Sequence, residues 1–576
     1  MCRLLFAERR WAVSGTPTSG LTKLYMEEDN NIDIHLVENE FNAKTDLSKL
    51  GTIVSNFLKM EPYYSNPKLW SQEIIAPLNK SVYGSELTFK NLLNSIMIRH
   101  QPRDINVKLP RFHHEKVVLQ PSFHDALSMN LFASVLAVNA VTSERTGVDY
   151  MFHPYNRQQL RRLLSNVQRA TFYWTGFQQE DVQTLIDICD KALEDDKYNE
   201  TDIELLKKSK KVALTALRNP RWKMSQMIHE LNYYVSNCSM FTSTYGIGTI
   251  ESKGVGIFGA PQLLSLKEFW TKNKHLTFNS ETEFQDKLEL NSKEFWARYW
   301  QDEASRNKEK FSKKKVIENQ ATILGMMTKS EPTRDEPTNS EPLQTIVSPP
   351  KKKRKVMFAD ATIPEEEEEE DPFPHEKNSF QMNVDSIKLL GTSSIKLTYL
   401  ANNLYENQKN KIKSIVFFEF EDSAYYLTEL LEIIDVKYIL YANFISPIER
   451  SKNLKDFSNY DNEKNGGIVL IMNIAHSSHG LNIIAASCIF FINPVKKESI
   501  EAQAIKRAHR IGQDKEVTIK TLTLDHVDEL KIFGTANTDD NEEVNGDDKL
   551  LEFLDLKLDD EGNEFASFAE PIVLFN

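Results

Sequence analysis

Two arginines three residues apart are the feature of this 576-residue sequence most suited to chemistry. Arg507 and Arg510 lie in the stretch QAIKRAHRIGQ, which reads as the last turn of a helix that begins near Glu498. Side chains three apart project from one helical face, and arginine offers phosphate oxygens a permanently charged fork of donors. The pair could therefore stabilise the charge on a γ-phosphoryl group during transfer. The plain alternative is a basic helix end that interacts with the helix dipole.

The whole stretch at residues 503–513 resembles the last motif of the Swi/Snf family of helicase-like, DNA-translocating ATPases of superfamily 2. It matches every fixed position of the family pattern QAxxRxHRIGQ. The final Gln513 disfavours an RNA helicase, because the similar block of the DEAD-box RNA helicases closes in HRxGR. The resemblance implies that Arg507 and Arg510 are catalytic arginine fingers. It also implies that Gln503 helps to sense the bound nucleotide.

A second stretch, RWAVSGTP at residues 10–17, is similar to the family motif RWxLTGTP, which comes late in the first RecA-like lobe. A short apolar strand that runs into a Gly-Pro turn would have the same letters without any special function. The resemblance implies a role in coupling nucleotide state to DNA contact for Ser14, Gly15, Thr16 and Pro17.

A third stretch, NIAHSSHGLNIIAAS at residues 473–487, resembles the family motif AGGxGLNLTAAS, which contacts the DNA phosphate backbone. A glycine lets the backbone approach a phosphate closely, and serine hydroxyls can donate to one. The resemblance implies DNA contacts for Ser477, Ser478, Gly480 and Asn482. The letters HSSH replace the small residues and the glycine pair of the family, so we expect a stiffer loop.

The elements that must position these motifs alternate between strand and helix from residue 386 to residue 535. Short apolar runs such as SIVFFEF, GGIVLIM and VTIKTLTL are separated by amphipathic helices, which indicates a parallel sheet with right-handed crossovers. Ligand-binding loops then gather at the carboxyl edge of the strands. We predict an α/β fold here, with helices on both faces of the sheet, that is, the second RecA-like lobe or helicase C-terminal domain.

The rest of the chain divides into four further predicted segments. Residues 1–120 resemble the end of a first RecA-like lobe and finish in FHHEKVVL, a predicted edge strand. Residues 121–327 have helical periodicity and are predicted to form a large helical insertion. Residues 328–385 are rich in Glu, Pro, Thr and Ser, which indicates a disordered linker. Residues 536–576 form an acidic tail.

Two basic clusters lie in the predicted insertion, KKSKK at residues 207–211 and NKEKFSKKK at residues 307–315. Lysines on a helix could follow a DNA backbone, and they could equally form solvated helix faces. The sequence does not separate these two interpretations.

The linker contains the basic run PPKKKRKV, whose core is identical to the nuclear import signal of a viral large T antigen. Consecutive basic side chains in an exposed segment suit the acidic groove of an import receptor. These side chains are Lys351, Lys352, Lys353, Arg354 and Lys355. We therefore predict a nuclear protein with an import receptor among its partners, although a charge run can also be merely solvated.

Composition limits the remaining possibilities. The 70 Lys and Arg residues against 83 Asp and Glu residues give a formal charge of −13, so any DNA contact must come from local basic surfaces. The 4 cysteines are scattered, and the paired histidines lack a third ligand at zinc-like spacing, so no metal site is predicted. Apolar runs such as GIVLIM are far shorter than the roughly 20 residues of a membrane span, and no membrane partner is expected.

The sequence contains no Gly-Lys dipeptide, hence no GxxxxGK[ST] phosphate-binding loop, and no DExH box ahead of SGTP. In the family both belong to the first lobe, so ATP and Mg²⁺ are expected to be held mainly by a lobe that these residues lack. Met1 would then fall inside a domain, which fits a truncated product or a half-motor. Whether the chain is itself an ATP hydrolase therefore stays open.

The resemblance as a whole implies the C-terminal part of a nuclear, ATP-dependent DNA translocase that acts in chromatin remodelling or DNA repair. Double-stranded DNA and chromatin or nucleosomes are its expected partners. The open alternative is a non-catalytic nuclear module, derived from such a motor, that binds DNA or proteins.

Overall fold

The structure is a computed structural model that describes residues 43–98, 109–274, 280–314, 386–478, 483–495, 498–525, 558 and 565–575. The described residues fall into two compact units, of which the first contains residues 43–98, 109–110 and 498–514 and the second contains the others. Several predicted site residues lie outside the described residues, namely Ser14, Gly15, Thr16, Pro17, Gly480, Asn482 and the import signal at 351–355.

The helices of the described residues are, in chain order, α1 (Ala43–Thr52), α2 (Ala76–Asn79), α3 (Ser85–Ile96), α4 (Phe123–Thr142), α5 (Arg157–Ala170), α6 (Gln179–Leu193), α7 (Glu200–Arg218), α8 (Pro220–Ile228), α9 (Ser239–Tyr245), α10 (Ala260–Asn273), α11 (Glu281–Lys314), α12 (Ile395–Lys409), α13 (Glu421–Ile433), α14 (Pro447–Asn459), α15 (Asn462–Asn465) and α16 (Glu498–Ala508). The strands of the same residues are β1 (Phe112–Leu119), β2 (Tyr233–Ser236), β3 (Gly248–Ile250), β4 (Val255–Phe258), β5 (Lys388–Thr392), β6 (Ser414–Phe418), β7 (Tyr438–Tyr441), β8 (Val469–Asn473), β9 (Cys488–Phe491), β10 (Val517–Leu524) and β11 (Ala566–Val573).

A six-stranded parallel sheet lies at the centre of the second unit, with strand order β1-β10-β9-β6-β8-β7. Successive side chains of a strand point to opposite faces. On one face Val416 and Phe418 share a core with α12 and α13. On the other face the rings of Phe417 and Phe491 stack with their centroids 5.2 Å apart, and α14 packs beside β7. The predicted α/β fold, a parallel sheet with helices on both faces, is confirmed.

Strand β1 belongs to this sheet, which corrects its predicted place in the first lobe. Its residues pair in register with β10, from Phe112 opposite Val517 to Leu119 opposite Leu524. It is an edge strand, as its sequence indicated. Its neighbour is distant in the chain, and local periodicity carries no information about distant pairing.

The region predicted as a helical insertion is mostly helical but also contains β2, β3 and β4. These strands pair with β5 and β11 in a five-stranded antiparallel sheet of order β11-β5-β2-β4-β3. These three strands were not predicted from the sequence, nor were β5 and the strand β11 within the predicted acidic tail. All four residues of β4 are buried, so the strand lacks the alternation that marks a half-exposed strand.

Helix α4 is the apolar centre of the helical region. By length and composition it could cross a membrane, but 94% of its most apolar 18-residue window is buried inside the fold. It packs against α5, α6 and α7 around a common core. A capping box fixes its start, because Ser122 Oγ accepts from the backbone N–H of Asp125 and the Asp125 carboxylate accepts from the N–H of Ser122.

Helices α1 and α3 of the first unit share a core with Trp70. The indole Nε1 donates to the carbonyl of Leu47 at 2.8 Å. A Cβ at Gly51 would lie 2.4 Å from the same indole ring, so a glycine is needed for α1 to pass this closely. The buried side chains of this core are Leu47, Leu50, Val54, Tyr63, Trp70, Ile74, Ile75, Phe89 and Leu93.

Candidate functional site

Helix α16 begins at Glu498, as the sequence predicted, and it carries Gln503 and Arg507. Arg510 lies just after the helix, in the turn that follows Ala508, and not in the last helical turn. Arg507 is half-buried and Arg510 is exposed. Burial lowers the pKa of Arg507, and the nearby positive charge of Arg510 lowers it further. The two guanidinium groups are thus close enough to repel each other.

The residues HRIGQ form a tight turn that determines where Arg510 is held. Gly512 has a φ of 100°, in the region that favours glycine. The buried side chain of Gln513 donates from Nε2 to the carbonyl of Ala508 at 3.2 Å. Its backbone N–H donates to the carbonyl of Arg510 at 2.9 Å. The glycine and the glutamine of the motif therefore close the end of α16 and fix the chain on both sides of Arg510.

In the second unit, polar side chains meet at the carboxyl ends of β6, β7 and β8. Asn473 and Asn443 each donate from Nδ2 to Oε1 of Glu421 at 3.2 Å. Oδ1 of Asn473 accepts from the N–H of Ala475 at 2.9 Å and so turns the chain into a 3-10 segment, Ile474–Ser478. Burial raises the pKa of Glu421, against the effect of the two asparagines. This cluster was not predicted from the sequence, although a polar residue directly after a buried apolar run is a signal for it.

His476, the first histidine of HSSH, is buried against Arg450 of α14. Nη1 of Arg450 lies 2.8 Å from Nε2 of His476. The Tyr441 ring packs edge-on against His476 at 5.3 Å, and the guanidinium carbon of Arg450 lies 5.6 Å from the centroid of the Tyr441 ring. The start of the loop after β8 is therefore held between β7 and α14.

The structure places the sequence-predicted site residues in two groups. Gln503, Arg507 and Arg510 share one helix and the turn after it. The backbone of Ser477 and Ser478 lies in the 3-10 segment at the carboxyl end of β8, the edge where ligand loops were expected, and their side chains lie outside the described residues. Among the residues that the structure describes, no group of three or more His, Cys, Asp or Glu side chains could hold a metal ion.

A family profile for the helicase conserved C-terminal domain matches residues 395–512, from the first residue of α12 to the glycine of HRIGQ. The DNA repair protein RAD5 of Gibberella zeae is 29% identical over 133 residues, which cover 23% of this chain and 11% of that protein. DNA repair protein RAD5A of Arabidopsis thaliana is 31% identical over 144 residues, which cover 25% of this chain and 13% of that protein. Residues 395–512 are therefore similar to the helicase conserved C-terminal domain, and the chain is similar to these two DNA repair proteins over part of its length.

The chromatin-remodeling ATPase INO80 of Candida glabrata is also similar to this chain, with 28% identity over 174 residues that cover 29% of this chain and 11% of that protein. These matched segments span only 11% to 13% of the relatives' own lengths. The similarity therefore identifies the domain and does not extend to the activities of the whole relatives.

A solved structure, the C-terminal part of the Fun30 ATPase domain, shares 24% identity with this chain. The superposition covers 28% of this chain and 53% of the Fun30 chain, with a TM-score of 0.24. At that score the superposition adds nothing to the strand order and register described above, on which the fold assignment rests.

Proposed function

We propose that this chain is the C-terminal part of a nuclear, ATP-dependent DNA translocase that acts in chromatin remodelling or DNA repair. The observation that carries the proposal is the turn at the end of α16, in which Gly512 and Gln513 fix the backbone on both sides of Arg510, three residues after Arg507, in a region that matches the helicase C-terminal domain. The similarity to two DNA repair proteins and to a chromatin-remodeling ATPase supports it.

Arg507 and Arg510 would act on the γ-phosphate of ATP. A guanidinium group keeps its charge in proteins, so the lowered pKa of Arg507 does not remove its function. An anion bound between the two guanidinium groups would offset their mutual repulsion. This electrostatic stabilisation would grow as negative charge develops on the transferring phosphoryl group. Gln503 lies one helical turn before Arg507 on α16, where it would sense the bound nucleotide.

ATP and Mg²⁺ would be held mainly by a first RecA-like lobe with a phosphate-binding loop and an acidic box. Mg²⁺ needs oxygen ligands, chiefly carboxylates, and the described part of this chain has no cluster of three or more acidic, His or Cys side chains arranged for a metal. The two arginines, in contrast, fit a phosphate. Bound Mg²⁺ would neutralise phosphate charge, and the arginines would complete that neutralisation.

Duplex DNA would contact the loop after β8. The residues proposed to contact its phosphates are Ser477, Ser478, Gly480 and Asn482. The hydrogen bond from Ala475 to Asn473 and the contact between His476 and Arg450 fix the start of this loop against the sheet. Residues 14–17 would couple the loop to the nucleotide from the first-lobe side.

Nuclear import would depend on the basic run Lys351, Lys352, Lys353, Arg354 and Lys355, which an import receptor would bind. Chromatin or nucleosomes would then be the natural setting for a motor that follows duplex DNA.

A second candidate function is a non-catalytic nuclear module that binds DNA or proteins. The lack of any Gly-Lys dipeptide in these 576 residues favours it, because a phosphate-binding loop requires that pair.

ATP hydrolysis stimulated by duplex DNA tests the proposal. We would measure it for the 576-residue chain, and for the same chain joined to an upstream RecA-like lobe that carries a phosphate-binding loop and a DExH box. We expect activity only in the joined protein, with duplex DNA a better activator than RNA. Inactivity of both would favour the non-catalytic module, and activity of the short chain alone would show that the account of phosphate binding is wrong.

A further inference from the structure

Helix α5 presents an arginine-rich face to which the sequence analysis gave no role. Its sequence, RQQLRRLLSNVQRA, contains four arginines and no acidic residue. The buried positions follow the helical repeat and are Leu160, Leu163, Leu164 and Val167. The exposed positions on the other side are Arg157, Gln158, Arg161 and Arg162. The leucine side of the helix therefore packs against the core, and the opposite side exposes guanidinium and amide groups to solvent.

This face has the chemistry that recognises a phosphodiester backbone. Arg157 and Arg161 are one turn apart and stand about 6 Å from each other along the helix. Arginine and glutamine side chains are common donors to phosphate oxygens, and the guanidinium fork matches them in pairs. Because the whole chain has a formal charge of −13, DNA can approach it only where a local surface is positive.

The lysine cluster at residues 207–211 on α7 is a weaker candidate for the same role. Lys208 lies 3.6 Å from Glu204, and Lys210 is paired with Asp190 of α6. These carboxylates cancel part of the positive charge of the lysine cluster. The sequence did not distinguish whether this cluster contacts DNA or forms a solvated helix face. The ion pairs favour the solvated face.

The last turn of α5 is fixed to the helicase C-terminal domain. Nε2 of Gln168 donates to Oε2 of Glu419, directly after β6, at 2.7 Å. The carbonyl of Gln168 accepts from Nδ2 of Asn493, after β9, at 3.4 Å. Arg169 lies 3.7 Å from Asp422 at the start of α13. Gln168 and Arg169 are both buried, so the helix is anchored at the carboxyl edge of the parallel sheet.

We propose that Arg157, Gln158, Arg161 and Arg162 of α5 bind the phosphodiester backbone of duplex DNA, as a second contact besides the loop after β8. This inference rests on the proposed function, and it adds a role for the helical region. A force on DNA held at α5 would pass through Gln168 to the ends of β6 and β9, so the helix and the parallel sheet would move on DNA together.

Fluorescence anisotropy of a labelled DNA duplex, titrated with the 576-residue chain at several salt concentrations, tests the proposal. The test protein carries Arg157→Ala, Arg161→Ala and Arg162→Ala, and the matched control carries Lys207→Ala, Lys208→Ala and Lys211→Ala. Both triples remove three positive charges. The arginine triple is expected to weaken binding about tenfold or more and to lower the slope of log affinity against log salt by about 3, one for each lost phosphate contact. The lysine triple is expected to leave the slope unchanged.

Equal weakening by the two triples, or an unchanged slope in the arginine triple, overturns the role of α5 and leaves the proposed function intact, since the wild-type chain still binds duplex DNA. A wild-type chain that fails to bind duplex DNA overturns both. The three arginines are exposed, so the melting temperature should not change. If the triple nevertheless unfolds, Arg157→Ala and Arg161→Ala alone, each expected to lower the slope by about 1, decide the question.

Discussion

At Gly512 a single backbone angle determines how the arginine turn is built. The φ of 100° is available to glycine, while a residue with a Cβ atom pays about 1–3 kcal/mol for such a conformation. The hydrogen bond from Gln513 to Ala508 then depends on this angle, because it closes the same turn.

We therefore expect Gly512→Ala to lower the free energy of unfolding by about 1–3 kcal/mol, measured by urea denaturation. The neighbouring Ile511→Ala is a suitable control, because Ile511 is 55% exposed and its truncation should cost within about 0.5 kcal/mol. A Gly512→Ala protein as stable as the control would show that the turn tolerates an ordinary residue.

Residue by residue, a linear motif was the useful sequence signal. QAIKRAHRIGQ pointed to Arg507, Arg510 and Gln503, and the start of α16 at Glu498 was predicted from the same stretch. The cluster around Glu421 could not be found this way, because its asparagines follow different strands and meet only when β7 and β8 pair. The spacing of these residues along the chain therefore does not predict that they lie together in the fold.

Among the secondary-structure elements, Asp125 joins the start of α4 to the start of α12. Its Oδ2 accepts hydrogen bonds from the N–H and Oγ of Ser122 and from the N–H of Ile395, at 3.2, 2.8 and 3.0 Å. Burial raises the pKa of Asp125 to about 7, although these hydrogen bonds and the charge of Lys396 act in the opposite direction. The carboxyl group of Asp125 therefore links two helices by hydrogen bonds, and its contribution to the free energy of unfolding depends on pH.

The sign of that dependence follows from the two pKa values. The folded value of about 7 lies above the ordinary value of 3.8, so the folded state binds more protons between them, and stability from Asp125 is lost as the pH rises from about 4 to about 7. Asp125→Asn keeps an acceptor and cannot ionise, so we expect it to gain stability relative to the wild type over this interval. Unfolding free energies of both proteins at about pH 4.5 and about pH 7.5 check this.

The neighbouring His124 has a pKa lowered by burial to about 3, so its own contribution falls as the pH drops below about 6.5. Both proteins contain His124, and its effect cancels in the comparison. A difference between wild type and Asp125→Asn that stays constant with pH would contradict the raised pKa of Asp125.

The elements of the helicase C-terminal domain were predictable because each strand is an apolar run between polar segments. The run VTIKTLTL coincides with β10 residue for residue, and SIVFFEF contains β6. The strands that escaped prediction, β2 to β5 and β11, are short or irregular, and β2, β5 and β11 pair with one another across long stretches of sequence. The sequence predicted a strand at β1 but assigned it to the wrong sheet, because its pairing with the distant strand β10 arises only in the folded chain.

At the scale of the whole molecule, the helical region belongs to the same compact unit as the parallel sheet. Buried polar contacts of Asp125 and Gln168 join its helices to the helicase C-terminal domain. The sequence predicted this region as an insertion between lobes. Its contacts with the parallel sheet were not predicted, because helical periodicity describes each helix separately and does not identify the residues that its polar side chains contact. The arginine face of α5 therefore belongs to the same unit as the loop after β8. It provides a local positive surface on a chain whose formal charge is −13.

The most direct test of the central claim is the rate of ATP hydrolysis, with duplex DNA present, by the chain joined to a lobe with a phosphate-binding loop. We predict that Arg510→Ala lowers kcat by about 10³-fold or more with little change in the KM for ATP. Lys506→Ala, an exposed cation on the same helix, should leave both values unchanged. An Arg510→Ala protein with wild-type kcat would contradict a catalytic role for the α16 turn and leave a domain that only binds.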